Sequence, residues 1–327
     1  MPRLAAPWRR CEGGQILGAQ EYFGSAGVPR QQTLANPISC TGVGLHTGCA
    51  VAMTLRPADA ESGIRFRRAD LNARSIQAHV DNVVDARMGT SIGDGKDVRI
   101  GTVEHLMAAL SGCGIDNVLV ELDGPEVPIM DGSAESFVFL IECAGVVEQR
   151  VSRRVIEVLK DVSVGDKDRS ASIGPSECFS VGFEIEFDSP VVGRQDTLVT
   201  LINGAFKHEV SRARTFGFEH EVDHLRSMGL ALGGSLDNAI VVGSSGILNE
   251  EGLRYEDEFV RHKVLDSIGD LYLAGAPLVG HFQGRRSGHA LNHRLVKALL
   301  ADETAWRYTA PRPEGAGQLT WPARVRA

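Results

Sequence analysis

His262, Asp266 and Asp270 recur every four residues within Arg254-Tyr-Glu-Asp-Glu-Phe-Val-Arg-His-Lys-Val-Leu-Asp-Ser-Ile-Gly-Asp270. Four residues advance a helix by about 6 Å and bring it back to within about 40° of the same direction, so His262 and Asp266 can close on one ion. One imidazole and one carboxylate are an incomplete zinc set, because a catalytic zinc usually takes three protein ligands and keeps a position open. Glu104-His105 is the candidate source of the third ligand, with a carboxylate beside it to serve as general base. Taken alone, that pair reads as a helix start with an acidic first-turn residue. The combination of the two segments is what carries weight.

The elements that position these residues follow from periodicity. Residues 254–270 lie in a helical pattern that Gly275 and Pro277 stop. Val260, Val264, Ile268 and Leu271 share one face, with Leu265 and Tyr272 at its edge, and the polar stripe falls roughly opposite that seam. Thr102 is expected to N-cap a second helix that carries Leu106, Ala109 and Leu110 into a core and holds Glu104 and His105 on its first turn. Gly112 and Gly114 end it. A strand at 117–122 and a helix at 133–144, ended by Gly145, complete an α+β layer pair. From about residue 150 a new series begins, with strands expected at 155–164, 179–187 and 197–202 and helical segments at 205–212 and 219–228. Asp237-Asn-Ala-Ile-Val-Val242 echoes Asp116-Asn-Val-Leu-Val120, a hint of internal duplication.

The chain has 327 residues, enough for two domains, and its 43% hydrophobic content suits substantial cores. With 34 basic against 42 acidic side chains the net charge is −8, which argues against a nucleic-acid partner held by bulk electrostatics. The six cysteines (Cys11, Cys40, Cys49, Cys113, Cys143 and Cys178) form no Cys-x-x-Cys pair, so neither a thiolate metal site nor a redox motif is indicated. No apolar run has membrane-spanning length, and Arg9-Arg10 leads into Cys-Glu-Gly-Gly-Gln rather than an apolar signal core. The expectation is a cytoplasmic protein without stable membrane insertion, with residues 1–30 a loose extension.

Three motifs compete for attention. Thr41-Gly-Val-Gly-Leu-His-Thr-Gly48 has the look of a dinucleotide loop, but the residues after it alternate like a strand, so it is read as a hairpin turn with His46 at its tip, able to face a ligand. Gly89-Thr-Ser-Ile-Gly93 has the letters of a serine-hydrolase elbow without the strand before it and helix after it that the elbow requires. His220-Glu-Val-Asp-His224 is a literal His-Glu-x-x-His, yet its helix is polar nearly all round, whereas a zinc helix under a cleft needs apolar neighbours. His289-Ala-Leu-Asn-His293 repeats the four-residue spacing, so histidine pairs alone decide nothing.

Taken together, Thr41-Gly-Val-Gly-Leu-His-Thr-Gly48, Thr102-Val-Glu-His-Leu106, Pro128-Ile-Met-Asp-Gly-Ser133, Ser211-Arg-Ala-Arg-Thr-Phe-Gly-Phe218, Leu232-Gly-Gly-Ser235, Arg261-His-Lys-Val-Leu-Asp-Ser-Ile-Gly-Asp270 and Ser287-Gly-His-Ala-Leu-Asn292 resemble the UDP-3-O-acyl-N-acetylglucosamine deacetylases, zinc amidases of lipid A biosynthesis in Gram-negative bacteria. The motifs fall in family order over about residues 33 to 300. The resemblance implies an α+β fold of two domains, each a sheet layer packed on a helix layer as a duplicated β-α-α-β sandwich, with the active site between them. The first domain would span 31–150 with an insert near 83–98, the second 151–305 with an acyl-chain insert near 219–238, and 306–327 would be a tail.

The resemblance assigns zinc to His105, His262 and Asp266 with water in the fourth position, and makes Glu104 the general base. It gives Thr215 to the oxyanion, His289 to protonation of the leaving amine, and Asp270 to the carboxylate that hydrogen-bonds His289. Lys263, Phe216, His46, Lys167 and Phe187 would meet substrate. The expected enzyme is a zinc-dependent, monomeric amidohydrolase that removes acetate from an acylated UDP-amino sugar. Arg87-Met-Gly-Thr-Ser91 and the N-terminal extension depart from the family pattern. Two rival readings are a zincin-like protease using His220, Glu221 and His224, and a non-catalytic sugar-nucleotide binder.

Overall fold

The computed structural model describes residues 29–72 and 74–310. The expected N-terminal extension, apart from its last two residues, and the end of the expected tail lie outside the described residues.

Period-two patterning builds the first sheet. In Ala50–Pro57, Val51, Met53 and Leu55 turn inward while the residues between them do not. This strand lies in a five-stranded sheet ordered Ile38–Val43, Ala50–Pro57, Val118–Leu122, Ile64–Arg68, Ile76–Gln77. The pairing of Val118–Leu122 with Ile64–Arg68 is parallel and the others are antiparallel. Helices α1 (Glu104–Gly112) and α2 (Glu135–Ala144) accompany it, and a ribbon of Arg30–Leu34 with Val146–Ser152 flanks it. Residues 83–100 form a separate antiparallel sheet of three short strands, Val83–Asp85, Ser91–Gly93 and Arg99–Ile100.

The second half centres on Leu278–Arg285, a strand of a seven-stranded mixed sheet. It pairs parallel with Val155–Val158 and Phe179–Glu186 and antiparallel with Ser170–Gly174. The strand expected at 155–164 is two strands, because Val155–Val158 and Val162–Gly165 pair with different neighbours. Trp306–Thr309, expected as the start of a tail, is instead an antiparallel strand beside Val155–Val158. The segment near 205–212 shortens to a π-helical turn, Phe206–Val210.

Helix α3 (Glu219–Ser227) buries none of its residues and follows Phe216–Phe218, which pairs in parallel with Ile240–Val242 as a two-stranded ribbon. The echo between residues 116–120 and 237–242 therefore occupies two unlike settings, an interior strand of a five-stranded sheet and a short ribbon. Helix α4 (Glu258–Tyr272) is the opposite of α3: every residue except Arg261 and Lys263 is buried. It starts at Glu258 rather than at 254, because the Arg254 guanidinium is turned away to Asp131 at 2.7 Å and the Glu258 carboxylate binds back on the preceding loop. Helix α5 (His289–Ala301) packs beside it.

Helices α1 and α4 lie against each other, and α4 also packs on Phe179–Glu186, so the layers run sheet, helix, helix, sheet around one continuous apolar cluster. A Cβ at Gly269 would collide with the Glu104 carbonyl. That close approach sets the first turn of α1 over the polar stripe of α4.

Candidate active site

The stripe on α4 and the first turn of α1 meet in a buried cluster. His262 Nε2 lies 3.3 Å and His105 Nε2 3.5 Å from Asp266 Oδ1, and the two imidazoles meet edge to face with centroids 4.9 Å apart. Among the described residues this is the one group of three or more His, Cys, Asp or Glu whose ligand atoms converge, all within 4.8 Å of one another. Asp266 Oδ1 is buried and has no hydrogen-bond partner, an arrangement costly for a carboxylate oxygen unless a cation completes it. Two imidazole nitrogens and one carboxylate oxygen form a donor set that suits a divalent metal such as zinc.

The surroundings orient these three side chains. His262 Nδ1–H donates to the Ala213 carbonyl at 3.0 Å, which turns Nε2 inward. Burial drives the His262 pKa down to about 3, against the pull of Asp266, leaving a neutral ring with a free lone pair. Burial alone would raise Asp266, but the adjoining His262 ring and the Lys263 ammonium hold it well below the usual carboxylate range. The Lys263 ammonium sits 2.9 Å from Asp266 Oδ2.

Ala213 and Thr215 come from a loop anchored by a buried ion pair. The Arg214 backbone N–H and Nε–H donate to Glu258 Oε1 at 3.0 and 2.9 Å, with both side chains almost inaccessible. The Thr215 N–H donates to the Gly132 carbonyl and its own carbonyl accepts from Ile240. Thr215 thereby lines the cleft beside the cluster.

On the far side, Glu104 Oε1 lies 3.9 Å from His289 Nε2, and Glu104 Oε2 accepts from the Thr90 N–H at 2.9 Å. Burial raises the Glu104 pKa, opposed chiefly by neighbouring His289. His289 Nδ1–H donates to Asp270 Oδ2 at 2.8 Å. Burial disfavours the charged ring, but Asp270, through its charge and this hydrogen bond, pushes His289 up to about 10. Asp270 is fully buried, and His289 and His293 overcome the cost of burial to keep it below its ordinary value.

Several expectations change. Thr102 does not cap α1: its φ is +53° and its hydroxyl donates to Glu126 Oε1 at 2.7 Å, while the residue at the cap position is Val103. Glu126 also accepts the His46 and Thr47 N–H groups, tying the 44–48 turn to the start of α1. Two of the expected substrate contacts lie off the cleft lining. Lys167 is exposed in the hairpin between Val162–Gly165 and Ser170–Gly174; Arg169, two residues on, lines the cleft instead, because side chains two apart in an irregular turn need not share a direction. Phe187 packs behind Phe216 and Phe218 at 5.7 and 5.5 Å. His46, Phe216 and Lys263 do line the cleft, and the Lys263 ammonium lies 5.6 Å from the centre of the Phe216 ring.

The protease set fails. His220, Glu221 and His224 ride on exposed α3, which buries none of them, and converge with no third ligand among the described residues. Glu126, the pairing of Arg214 with Glu258, and the cleft arginines Arg169 and Arg286 were not indicated by the sequence. Thr90, Arg214 and Asn292 appeared there only as letters within longer motifs, and His293 only as a repeated spacing.

The cleft that joins these groups encloses about 760 Å³. Its lining includes two arginines, Arg169 and Arg286, and an apolar set, Phe218, Val222, Leu225, Leu236 and Val241. No helix among the described residues is long and apolar enough to cross a membrane.

Comparison with known proteins agrees with this geometry. The model of the family described as LpxC, UDP-3-O-acyl N-acetylglycosamine deacetylase, matches residues 31–301. A UDP-3-O-acyl-N-acetylglucosamine deacetylase of Acidithiobacillus ferrooxidans is 57% identical over 282 residues, 85% of this chain and 92% of its own length. Relatives of the same description from Cellvibrio japonicus and Thioalkalivibrio sulfidiphilus are 53% and 54% identical, each over 85% of this chain and 93% and 92% of their own lengths. Likeness of that depth over nearly the whole described chain makes this protein a member of the LpxC family of UDP-3-O-acyl-N-acetylglycosamine deacetylases.

Proposed function

We propose that the chain hydrolyses the acetamide of UDP-3-O-acyl-N-acetylglucosamine to the free amine and acetate, a step of lipid A biosynthesis. The observation that carries this reading is the convergence of His105, His262 and Asp266 between a buried carboxylate, Glu104, and an imidazole, His289, paired with the buried carboxylate of Asp270. His105, His262 and Asp266 would hold a zinc ion, which when bound supplies Lewis acidity toward water and the acetamide carbonyl.

The chain's own residues do the rest. Glu104, its basicity raised by burial, takes the proton of the attacking water. The Thr215 hydroxyl donates to the developing oxyanion. His289, whose Nδ1 is committed to Asp270, presents Nε2–H to the sugar nitrogen and protonates it as the C–N bond breaks, since an amide anion cannot leave. Imidazolium is the form needed, and Asp270 sustains it. Arg169 and Arg286 offer local positive charge for a diphosphate in a chain of net charge −8. The apolar lining on and around α3 is suited to the 3-O-acyl chain, with Lys263, Phe216 and His46 left for the sugar. A division near residue 150, inserts near 83–98 and 219–238, a monomeric state and a cytoplasmic setting belong to the same reading.

The test is acetate release from UDP-3-O-acyl-N-acetylglucosamine by zinc-reconstituted protein, with bound zinc quantified. Glu104→Ala is expected to keep zinc and lose turnover, and His262→Ala to lose zinc. Full zinc and activity in His262→Ala would overturn the ligand assignment; undiminished substrate binding with no acetate from wild type would favour a non-catalytic binder.

A further inference from the structure

Gly89-Thr90-Ser91 belongs to none of the roles above, yet Thr90 is fully buried and touches both halves of the reaction machinery. Its N–H donates to Glu104 Oε2 at 2.9 Å, and its carbonyl accepts from Val103 N–H, the residue before Glu104. Its hydroxyl lies 2.6 Å from Asp270 Oδ1 and 2.8 Å from His293 Nε2. A hydroxyl has one proton, and an ionised carboxylate can only accept. The Thr90 proton therefore points to Asp270, and His293 must donate its Nε2–H to Thr90. The bonds run head to tail, His293 to Thr90 to Asp270, and end on the oxygen that His289 does not use. Asn292 Nδ2 donates to that other oxygen, beside His289, at 2.9 Å. Close approach is possible because residue 89 is glycine: a Cβ there would stand 2.8 Å from Glu104 Oε1.

We propose that Thr90, oriented by His293, is a positioning residue that locks Asp270, and through it His289, in register with Glu104, so that proton uptake and proton delivery occur across one fixed distance. The contact is made by the small three-stranded sheet, whose strand Ser91–Gly93 follows Thr90 directly. That sheet thus has a part in catalysis beyond walling the cleft. The backbone of residue 90 fixes the base and its side chain fixes the partner of the acid, so the two groups cannot drift independently. The proposal rests on the reading of Glu104 as base and His289–Asp270 as acid.

The experiment compares wild type, Thr90→Val, Thr90→Ser, Asp270→Asn and the Thr90→Val/Asp270→Asn pair for acetate release, with bound zinc and the unfolding midpoint measured in each. Thr90→Val should lower kcat by about 10- to 100-fold, the usual cost of losing a supporting hydrogen bond around such a site, with KM changed by less than about twofold and zinc retained. Thr90→Ser, which keeps the hydroxyl, should recover most of kcat. In the Asp270→Asn background the valine should cost less than about twofold more, because residues acting through one another are not additive. His293→Leu should act in the same direction as Thr90→Val, and His293→Gln, which retains an N–H donor, should be milder. If Asp270→Asn cripples turnover while Thr90→Val leaves kcat intact, the positioning role is wrong and the acid assignment stands. If the two losses multiply, or if valine and serine fall equally with loss of zinc or folding, Thr90 does not act through Asp270. Undiminished kcat in Asp270→Asn would overturn both this proposal and the acid assignment.

Discussion

Helices α3 and α4 carry the same local signal and meet opposite fates. His220 and His224 stand four apart, as do His262 and Asp266, and the first pair even has the intervening glutamate of a metalloprotease. Yet α3 buries nothing, whereas α4 is buried on nearly every side and is crossed by α1. A ligand pair becomes a metal site when burial strips its water, a second element brings the third donor, and outer hydrogen bonds fix the ring orientation. On α4 these are supplied by the apolar cluster, by His105 and by the Ala213 carbonyl. On α3 none of the three is present among the described residues.

The largest expected effect puts that contrast to direct measurement. His262→Ala should abolish stoichiometric metal and lower kcat/KM at least as far as removing a general base does, about 10²- to 10⁴-fold. The double variant His220→Ala/His224→Ala should leave metal content unchanged and activity within about twofold. Metal analysis beside acetate release decides it, and loss of metal from the α3 variant would erase the distinction.

Next in size is stability. Glu258 opens α4 as a fully buried acid, and Arg214→Met would strand it without its cation. A loss of about 3–5 kcal/mol is expected, read from urea unfolding. Arg226→Ala on exposed α3 should stay within about 0.5 kcal/mol. A smaller loss follows at the helix crossing. Gly269→Ala forces a methyl against the Glu104 carbonyl and should cost about 1–3 kcal/mol, with turnover falling because the first turn of α1 is displaced. Gly246, which has open space where a Cβ would go, should accept alanine without either change.

The smallest effect is a displacement along the pH axis. In the proposed reaction His289 acts in its protonated form, and Asp270 raises its pKa, so activity should persist above the ordinary histidine value and fall as pH rises through the raised one. Asp270→Asn removes the anion and should move the alkaline limb of kcat to lower pH. A bound dication would oppose the rise in both proteins, so the difference between their profiles is the quantity to measure. Coincident alkaline limbs would mean that Asp270 does not tune His289.

Much of this architecture was legible from local patterns. The seam of Val260, Val264, Ile268 and Leu271 placed α4, glycines marked the ends of α1 and α2, and strand patterning found Ala50–Pro57 and Phe179–Glu186. The candidate ligand trio emerged from spacing in α4 joined to one Glu-His pair. Departures occurred where a polar side chain preferred a distant partner to a local one. Thr102 binds Glu126 instead of capping its own helix, and Arg254 binds Asp131 instead of extending α4. No periodicity could reveal Thr90, which lies in an irregular stretch and matters through Asp270, 180 residues away.

The sequence by itself determined which residues could share a helix face, because 3.6-residue periodicity is a property of the local backbone. It thus determined the pairing of His262 with Asp266 and the element that carries them. Only the tertiary structure decided that this pair and not His220 with His224 is sealed from water, that His105 arrives from α1, and that Thr90 bridges Glu104 to Asp270. Those outcomes depend on where separate elements pack, and burial, desolvation and charge coupling come into being only once they have packed.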